Sequence, residues 1–395
     1  MGIFGKREEK ASRVGRLMQV ETLGRPAWTP RDYASLAREG FAKNPIVFRA
    51  VRMIAEAAAS APWLLYDGAR EVETHPLLDL LMRPNPAQSG ATLMETVYGH
   101  LMVAGNAYIE VVAIEGRPRE MFALRPDRMR VVPGADGWPS GFVYRAGGRT
   151  VEFVQEGAVP PILHLTMFHP LDDHYGFAPI EAAQTSLDIH NASGAWSKAL
   201  LDNAARPSGA LVYTGEGNLT DDQFDRLKAE LEDGYSGARN AGRPLLLEGG
   251  LDWKTMAMSP RDMDFIEAKN QAAREIALAF GVPPMLLGIP GDNTYANYRE
   301  ANRAFWRQTV LPLVNRTAQS LGNWLGEAWP EELRLAFDAD QIDALSTERE
   351  SLWDRVASAD FLTRAEKREA VGYGAEETAA EGTGAEGGPQ AAATR

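Results

Sequence analysis

The chain has 395 residues, 45% hydrophobic and 24% charged, which fits a globular protein with room for two or three cores and excludes disorder except locally. With 41 basic and 54 acidic residues the net charge is -13, which excludes a coat that neutralises nucleic-acid phosphates, though not a surface past which DNA slides without sticking. Zero cysteines exclude disulfides, thiolate metal sites and cysteine nucleophiles, and no run approaches the roughly 20 apolar residues that cross a bilayer.

Residues 1–29 begin MGIFGKREEK, without an apolar leader core, and carry Lys6, Arg7, Lys10, Arg13 and Arg16; they read as a flexible basic arm. From Asn44, NPIVFRAVRMIAEAAASAPW reads as a helix, with Pro45 in its first turn and Val47, Val51, Ile54 and Ala58 at helical spacing. HPLLDLLMRPNP is a short helix closed by prolines. SGATLMETVYGHLMVAGNA is a longer one with Ser89 or Thr92 as its cap. After Gly105 the period changes to two, predicting an antiparallel sheet over about 105–168.

A helix over 180–205 would span about 39 Å at about 1.5 Å per residue. Strand GALVYTG, capped acidic helix NLTDDQFDRLKAELEDGY and strands RPLLLEGG and LDWKTMAM then form a small α/β module over 207–258. A second long helix starts at Ser259-Pro260. Gly281 and the pair Pro283-Pro284 end it, and Gly288 and Gly291 mark a hinge before the next helix. Pro312 should kink that helix. A helical piece follows to about 374, and the Ala/Gly/Glu-rich 375–395 read as a disordered tail.

Chemical motifs are sparse. No phosphate-binding loop, zinc-protease or nucleophile-elbow motif occurs, so no cofactor is expected. His164, His169, Asp172, Asp173 and His174 offer five possible metal ligands within eleven residues, the basis for an alternative reading as a metal-dependent hydrolase. The bland reading is a polar loop, because nothing in the pattern fixes them on one face. Asp221 with Asp222, and Asp262 with Asp264, could serve as acid and base, yet their place in first helical turns suits the helix dipole equally. Arg299, Arg303 and Arg307 stand at i, i+4 and i+8 and share a helical face, with Glu300 off that face. This stripe is a solvated face, a set of salt bridges to an adjacent subunit, or a transient contact with nucleic acid.

The order of the pieces carries more than any motif. NPIVFRAVRMIAEAAASAPWLLY, HPLLDLLMRPNP, GNAYIEVV with ALRPDRMRVV, ILHLTMFHPLDDHYGFAPIEAA, AFGVPPMLLG with TYANYREANRAFWRQTVLPLV, and LTRAEKREAVGYG follow one another over about 40–373. Together they resemble the portal proteins of tailed bacteriophages of the HK97 type, an architecture also used by gene transfer agents. The resemblance implies a non-enzymatic α+β subunit of a homo-oligomeric ring of about twelve at one capsid vertex of a virion or virus-like particle assembled in the bacterial cytoplasm. Double-stranded DNA would pass through its channel, with the major capsid protein, the terminase large subunit and a head-tail adaptor as partners and no membrane.

It further implies a wing (30–179, with a return at 311–345), a stem of two long helices (180–206 and 259–283), an α/β clip (207–258), a tunnel loop and helix (284–310) and a short helical crown (346–374). Tunnel candidates are Asn293, Arg299, Arg303 and Arg307. Asp262, Asp264 and Glu267 are candidates for an acidic lining that repels phosphate, and Gly281, Pro283, Pro284, Gly288 and Gly291 form the hinge. Another capsid or adaptor protein is the remaining structural alternative.

Overall fold

The computed structural model describes residues 28–202, 209–213, 220–235, 251–255, 265–291 and 295–373. The basic arm before residue 28, strand RPLLLEGG, Asp262, Asp264, Asn293 and the tail after 373 lie outside them.

In chain order, a helical turn at Tyr33–Ser35 runs into a π-helix at Leu36–Ala42, followed by α1 (Pro45–Ala59), β1 (Trp63–Asp67), β2 (Arg70–Glu71), α2 (Pro76–Met82) and α3 (Gly90–Ala104). The sheet region holds β3 (Asn106–Ile114), β4 (Arg117–Leu124), β5 (Met129–Pro133), β6 (Pro139–Ala146), β7 (Arg149–Val154) and β8 (Ile162–Thr166). Next come α4 (Gln184–Asp202), β9 (Gly209–Tyr213), α5 (Asp221–Tyr235), β10 (Leu251–Thr255) and α6 (Phe265–Ala279). The last elements are α7 (Tyr295–Phe305), α8 (Leu311–Gly326), β11 (Leu333–Phe337), α9 (Ser346–Ala357) and α10 (Arg364–Ala370).

The chain divides into two units. One comprises the described residues before Pro45 together with Ala183–Ala272, and the other Pro45–Ala182 and everything from Ala273 onward.

In the second unit α1 buries Val47, Ala50, Val51, Ile54, Ala55 and Ala58, the stripe that its 3.6-residue period predicts. α3 starts where the Ser89 hydroxyl accepts the Thr92 N–H and stops at Gly105 in the left-handed region (φ 67°). Gly105 also lies against Gly176: a Cβ on Gly105 would sit 2.4 Å from the Gly176 carbonyl oxygen, so both positions need the missing side chain. The predicted sheet is two three-stranded antiparallel sheets, ordered β4-β3-β8 and β5-β6-β7. Tyr108, Met129, Val131, Phe142 and Ile162 close their shared core.

A third sheet, β11-β1-β2, was not expected: WLLYD lacks alternation and its partner LRLAF lies about 270 residues away. α8 buries Leu313, Val314, Ala318, Leu321, Trp324 and Leu325, and the Trp324 Nε1–H donates to the Pro160 carbonyl at 2.7 Å. α9 and α10 supply the expected C-terminal helices. Arg349 pairs with Asp340 and also donates to the Val371 carbonyl at 2.8 Å.

In the first unit, residues 28–44 are fastened to α4. Thr29 donates through its N–H (3.0 Å) and its hydroxyl (2.5 Å) to the Asp188 carboxylate, and Arg31 donates to the Gln184 amide oxygen at 2.8 Å. The buried Asn44 donates to His190 Nδ1 and to the Asn191 amide oxygen, both at 3.0 Å. α4 has 19 described residues, about 28 Å, and a short helix at Pro179–Ala182 precedes it; residues 203–205 of the helix expected over 180–205 lie outside the described residues. β9 and β10 pair antiparallel, and Thr220 caps α5 by accepting the Gln223 N–H. Trp196 of α4 stacks on Phe265 of α6 with ring centres 4.2 Å apart.

Candidate functional site

The sequence points to the segment from the end of α6 to the start of α8. α6 ends in a complete left-handed cap: the Gly281 N–H reaches the Leu278 carbonyl (3.0 Å), the Val282 N–H reaches the Ala277 carbonyl (2.9 Å), and Gly281 has φ 66°. Pro283 and Pro284, which cannot extend a helix, lead into a single turn at Pro284–Leu287. That turn repeats the device, with the Gly288 N–H on Met285 and the Ile289 N–H on Pro284 (both 3.2 Å), and φ 72° at Gly288. Val282, Leu286 and Ile289 are buried, Ile289 beside Ala273 and Ala277 of α6. The proposed hinge is thus two successive caps seated on buried Val282, Leu286 and Ile289, with Gly281 and Gly288 themselves exposed.

Two side chains tie this turn to its neighbours. Arg274 Nη2 donates to the Pro290 carbonyl (2.5 Å), and the Thr309 hydroxyl donates to the Gly281 carbonyl (2.6 Å). Neither residue was singled out from the sequence, since neither stands in a motif and both contacts depend on the turn's shape.

α7 carries Arg299 and Arg303, and Arg307 lies in a π-helical turn, Trp306–Val310, between α7 and α8. Arg299 and Arg307 are exposed and Arg303 half-buried. Glu300, expected off this face, forms an i,i+3 ion pair with Arg303, because long side chains three apart meet across a helical turn. The expected kink at Pro312 takes the form of the π turn. The Leu311 N–H bonds to the Trp306 carbonyl five residues back, and Pro312 enters α8 in its first turn, where its missing N–H costs nothing. A four-residue step in an α-helix overshoots a full turn by about 40°. A π turn holds more residues, so the step from Arg303 to Arg307 overshoots less and the stripe stays straighter.

Of the acidic candidates, Glu267 is exposed in the first described turn of α6. Gly291 is exposed and lies near the Arg274 guanidinium.

The histidine-rich loop has other occupations. His164 lies on β8, its ring stacked 4.2 Å from Tyr108 and edge-on to Phe142, and its Nε2–H donates to the Asn106 amide oxygen (3.0 Å). Burial, aided by nearby His174, pulls its pKa down to about 4 and keeps the ring neutral. Asn106 also accepts the Gly176 N–H (2.8 Å) and donates to the Ala104 carbonyl (2.7 Å), pinning the loop to the end of α3. His169 Nδ1 accepts the Leu171 N–H (3.0 Å), and Asp172 accepts the N–H groups of His174 (2.8 Å) and Tyr175 (2.9 Å). Those hydrogen bonds hold the Asp172 carboxyl below the usual carboxylate range. Among the described residues no three acids or histidines are grouped to hold a metal ion, and no helix is long and apolar enough to cross a membrane.

Comparison with known proteins adds what the geometry lacks. A family model for phage portal proteins matches residues 45–372. A chain in the neck of a native gene transfer agent particle, computed with C12 symmetry, is 55% identical to this one, covers 89% of it and 96% of itself, and superposes with a TM-score of 0.68. An uncharacterized protein of Rickettsia bellii (strain RML369-C) is 42% identical over 338 residues, 85% of this chain and 88% of its own. The portal protein of Enterobacteria phage HK97 is 25% identical over 302 residues, 74% of this chain and 69% of its own.

Proposed function

Since this chain belongs to the phage portal protein family, we propose that about twelve copies close into a ring at one vertex of the capsid of a virion or virus-like particle, and that double-stranded DNA enters and leaves through the ring's axis. The observation that carries this reading is the 55% identity, over 89% of the chain, to a subunit in a C12-symmetric gene transfer agent neck. The family is structural, and no catalytic step is assigned to this chain.

Within the subunit, residues 30–179 with 311–345 form the wing, α4 and α6 the stem, β9, α5 and β10 the clip, α7 with its flanking turns the tunnel element, and α9 with α10 a short crown. What supports the tunnel assignment is the exposure of α7 at Ala296–Glu300, a face turned to solvent on which a neighbouring subunit or passing DNA could act. The net charge of -13, repeated around a ring, makes a wall that repels phosphate, so DNA slides without being captured; the exposure of Glu267 supports counting it among the contributing groups. The clip meets the terminase large subunit during filling and a head-tail adaptor afterwards, and the wing meets the major capsid protein.

The test is genetic. Cells that make the particles but lack this chain should yield heads without packaged DNA, restored by the wild-type chain. DNA-filled particles in its absence would reject the reading.

A further inference from the structure

We infer that Thr309 is a positioning residue: by seating its hydroxyl against the Gly281 carbonyl it holds the π turn at Trp306–Val310 and so fixes the rotational setting of α7, which carries Arg299 and Arg303. The observation is a reciprocal fit. The Thr309 hydroxyl donates to the Gly281 carbonyl at 2.6 Å. A Cβ on Gly281 would lie 2.8 Å from the Thr309 Oγ1 and 3.6 Å from its Cγ2, so the hydroxyl occupies the space that the glycine leaves open. The end of α6 and the foot of α7 are therefore joined at a point where neither has a substitute.

A π turn carries one residue more than the α-helix it interrupts, and the surplus passes to one side if the turn relaxes. On the C-terminal side α8 is fixed, with Leu313, Val314 and Leu321 buried and Pro312 in its first turn. On the N-terminal side α7 is held at its foot by Phe305, 1% exposed, while Tyr298 stands half in the open. Relaxation of the turn would therefore move α7, turning it about 100° and advancing it about 1.5 Å for the one residue absorbed. That displacement would carry Arg299 and Arg303 to a different face. Phe305 resists it through packing, and Thr309 resists it through a directed hydrogen bond.

The consequence for DNA passage rests on the proposed ring, but the positioning itself does not, and it is read on the purified full chain. Thr309→Val keeps the shape and removes the donor, Thr309→Ser keeps the donor, and Gly281→Ala evicts the hydroxyl from the other side. Amide hydrogen exchange, read by mass spectrometry, should quicken about three- to tenfold over residues 296–308 in the valine and alanine variants, as loss of one partly exposed hydrogen bond implies. Exchange in α1 and α3 should stay unchanged, and the serine variant should match wild type. Wild-type protection in the valine variant would overturn the inference, and so would a serine variant as labile as valine, since packing of the methyl group would then be the cause. Should the valine chain fold poorly, the alanine variant is read as the quickening over residues 296–308 beyond that in α6, since a side chain at φ 66° strains the α6 cap as well, and quickening confined to α6 would overturn the inference.

Discussion

Replacing His164 by phenylalanine should change how stability depends on pH more than it changes stability itself. The folded ring takes up a proton only near pH 4, against 6.5 for the free side chain, because burial disfavours the charged form. The unfolded chain therefore binds more protons than the folded one between those values, so stability is fully present above pH 6.5 and falls as the pH drops toward 4. At about pH 5 this one group costs wild type about 2 kcal/mol relative to neutral pH. Phenylalanine keeps the stacking area on Tyr108 and the edge contact with Phe142, and loses the hydrogen bond to Asn106, worth about 1 kcal/mol. The variant should therefore be about 1 kcal/mol less stable at about pH 7.5 and about 1 kcal/mol more stable at about pH 5. Urea titrations followed by tryptophan fluorescence at the two pH values read this crossing. His100, also buried and depressed to about 4, is present in both chains and cancels. A gap between the two proteins that does not change with pH would refute the assignment of His164 as a neutral core residue.

Gly105→Ala should cost about 3 kcal/mol, because its Cβ meets backbone at Gly176 and Ala178, whereas Gly116→Ala, strained in φ but facing open space, should cost about 1 kcal/mol. Equal shifts in urea midpoint would contradict that difference. Arg303→Glu should leave the chain folded, with the melting temperature lowered by only a few degrees for the lost Glu300 pair, and alter ring assembly or the DNA content of particles; unchanged yield and DNA content would remove the stripe from the mechanism. Zinc ions added to the purified chain should leave the melting temperature within about 1 °C, since His164 is held by Asn106 and stacked on Tyr108 while His169 and Asp172 accept backbone N–H groups of their own loop, and a zinc-dependent rise would reopen the metal reading.

Helix placement was legible wherever a stripe and a cap coincide. Ser89 with Gly105 bracket α3, and Gly281 with Pro283-Pro284 end α6, because these signals are local. The sheet of β1 and β11 was not legible, since its pairing joins Leu65 to Leu335 and no local pattern announces a partner so distant. The site was legible as a location and not as a mechanism. Arginine spacing marks α7, but the Arg303–Glu300 pair, the π turn that takes the place of a kink, and the Thr309 and Arg274 ties arise only once the turn is built. The histidine cluster shows the converse: five possible ligands close in sequence are separated by a strand, a stack and a self-bonded loop.

The central claim is that this chain forms the portal ring, and electron microscopy of the purified full-length protein, with native mass spectrometry on the same sample, tests it most directly. Closed rings of about twelve subunits around an open axis are the expected result, in keeping with the C12 symmetry of the related neck. A population that stays monomeric or dimeric at every concentration, and inside particle-producing cells as well, would contradict it.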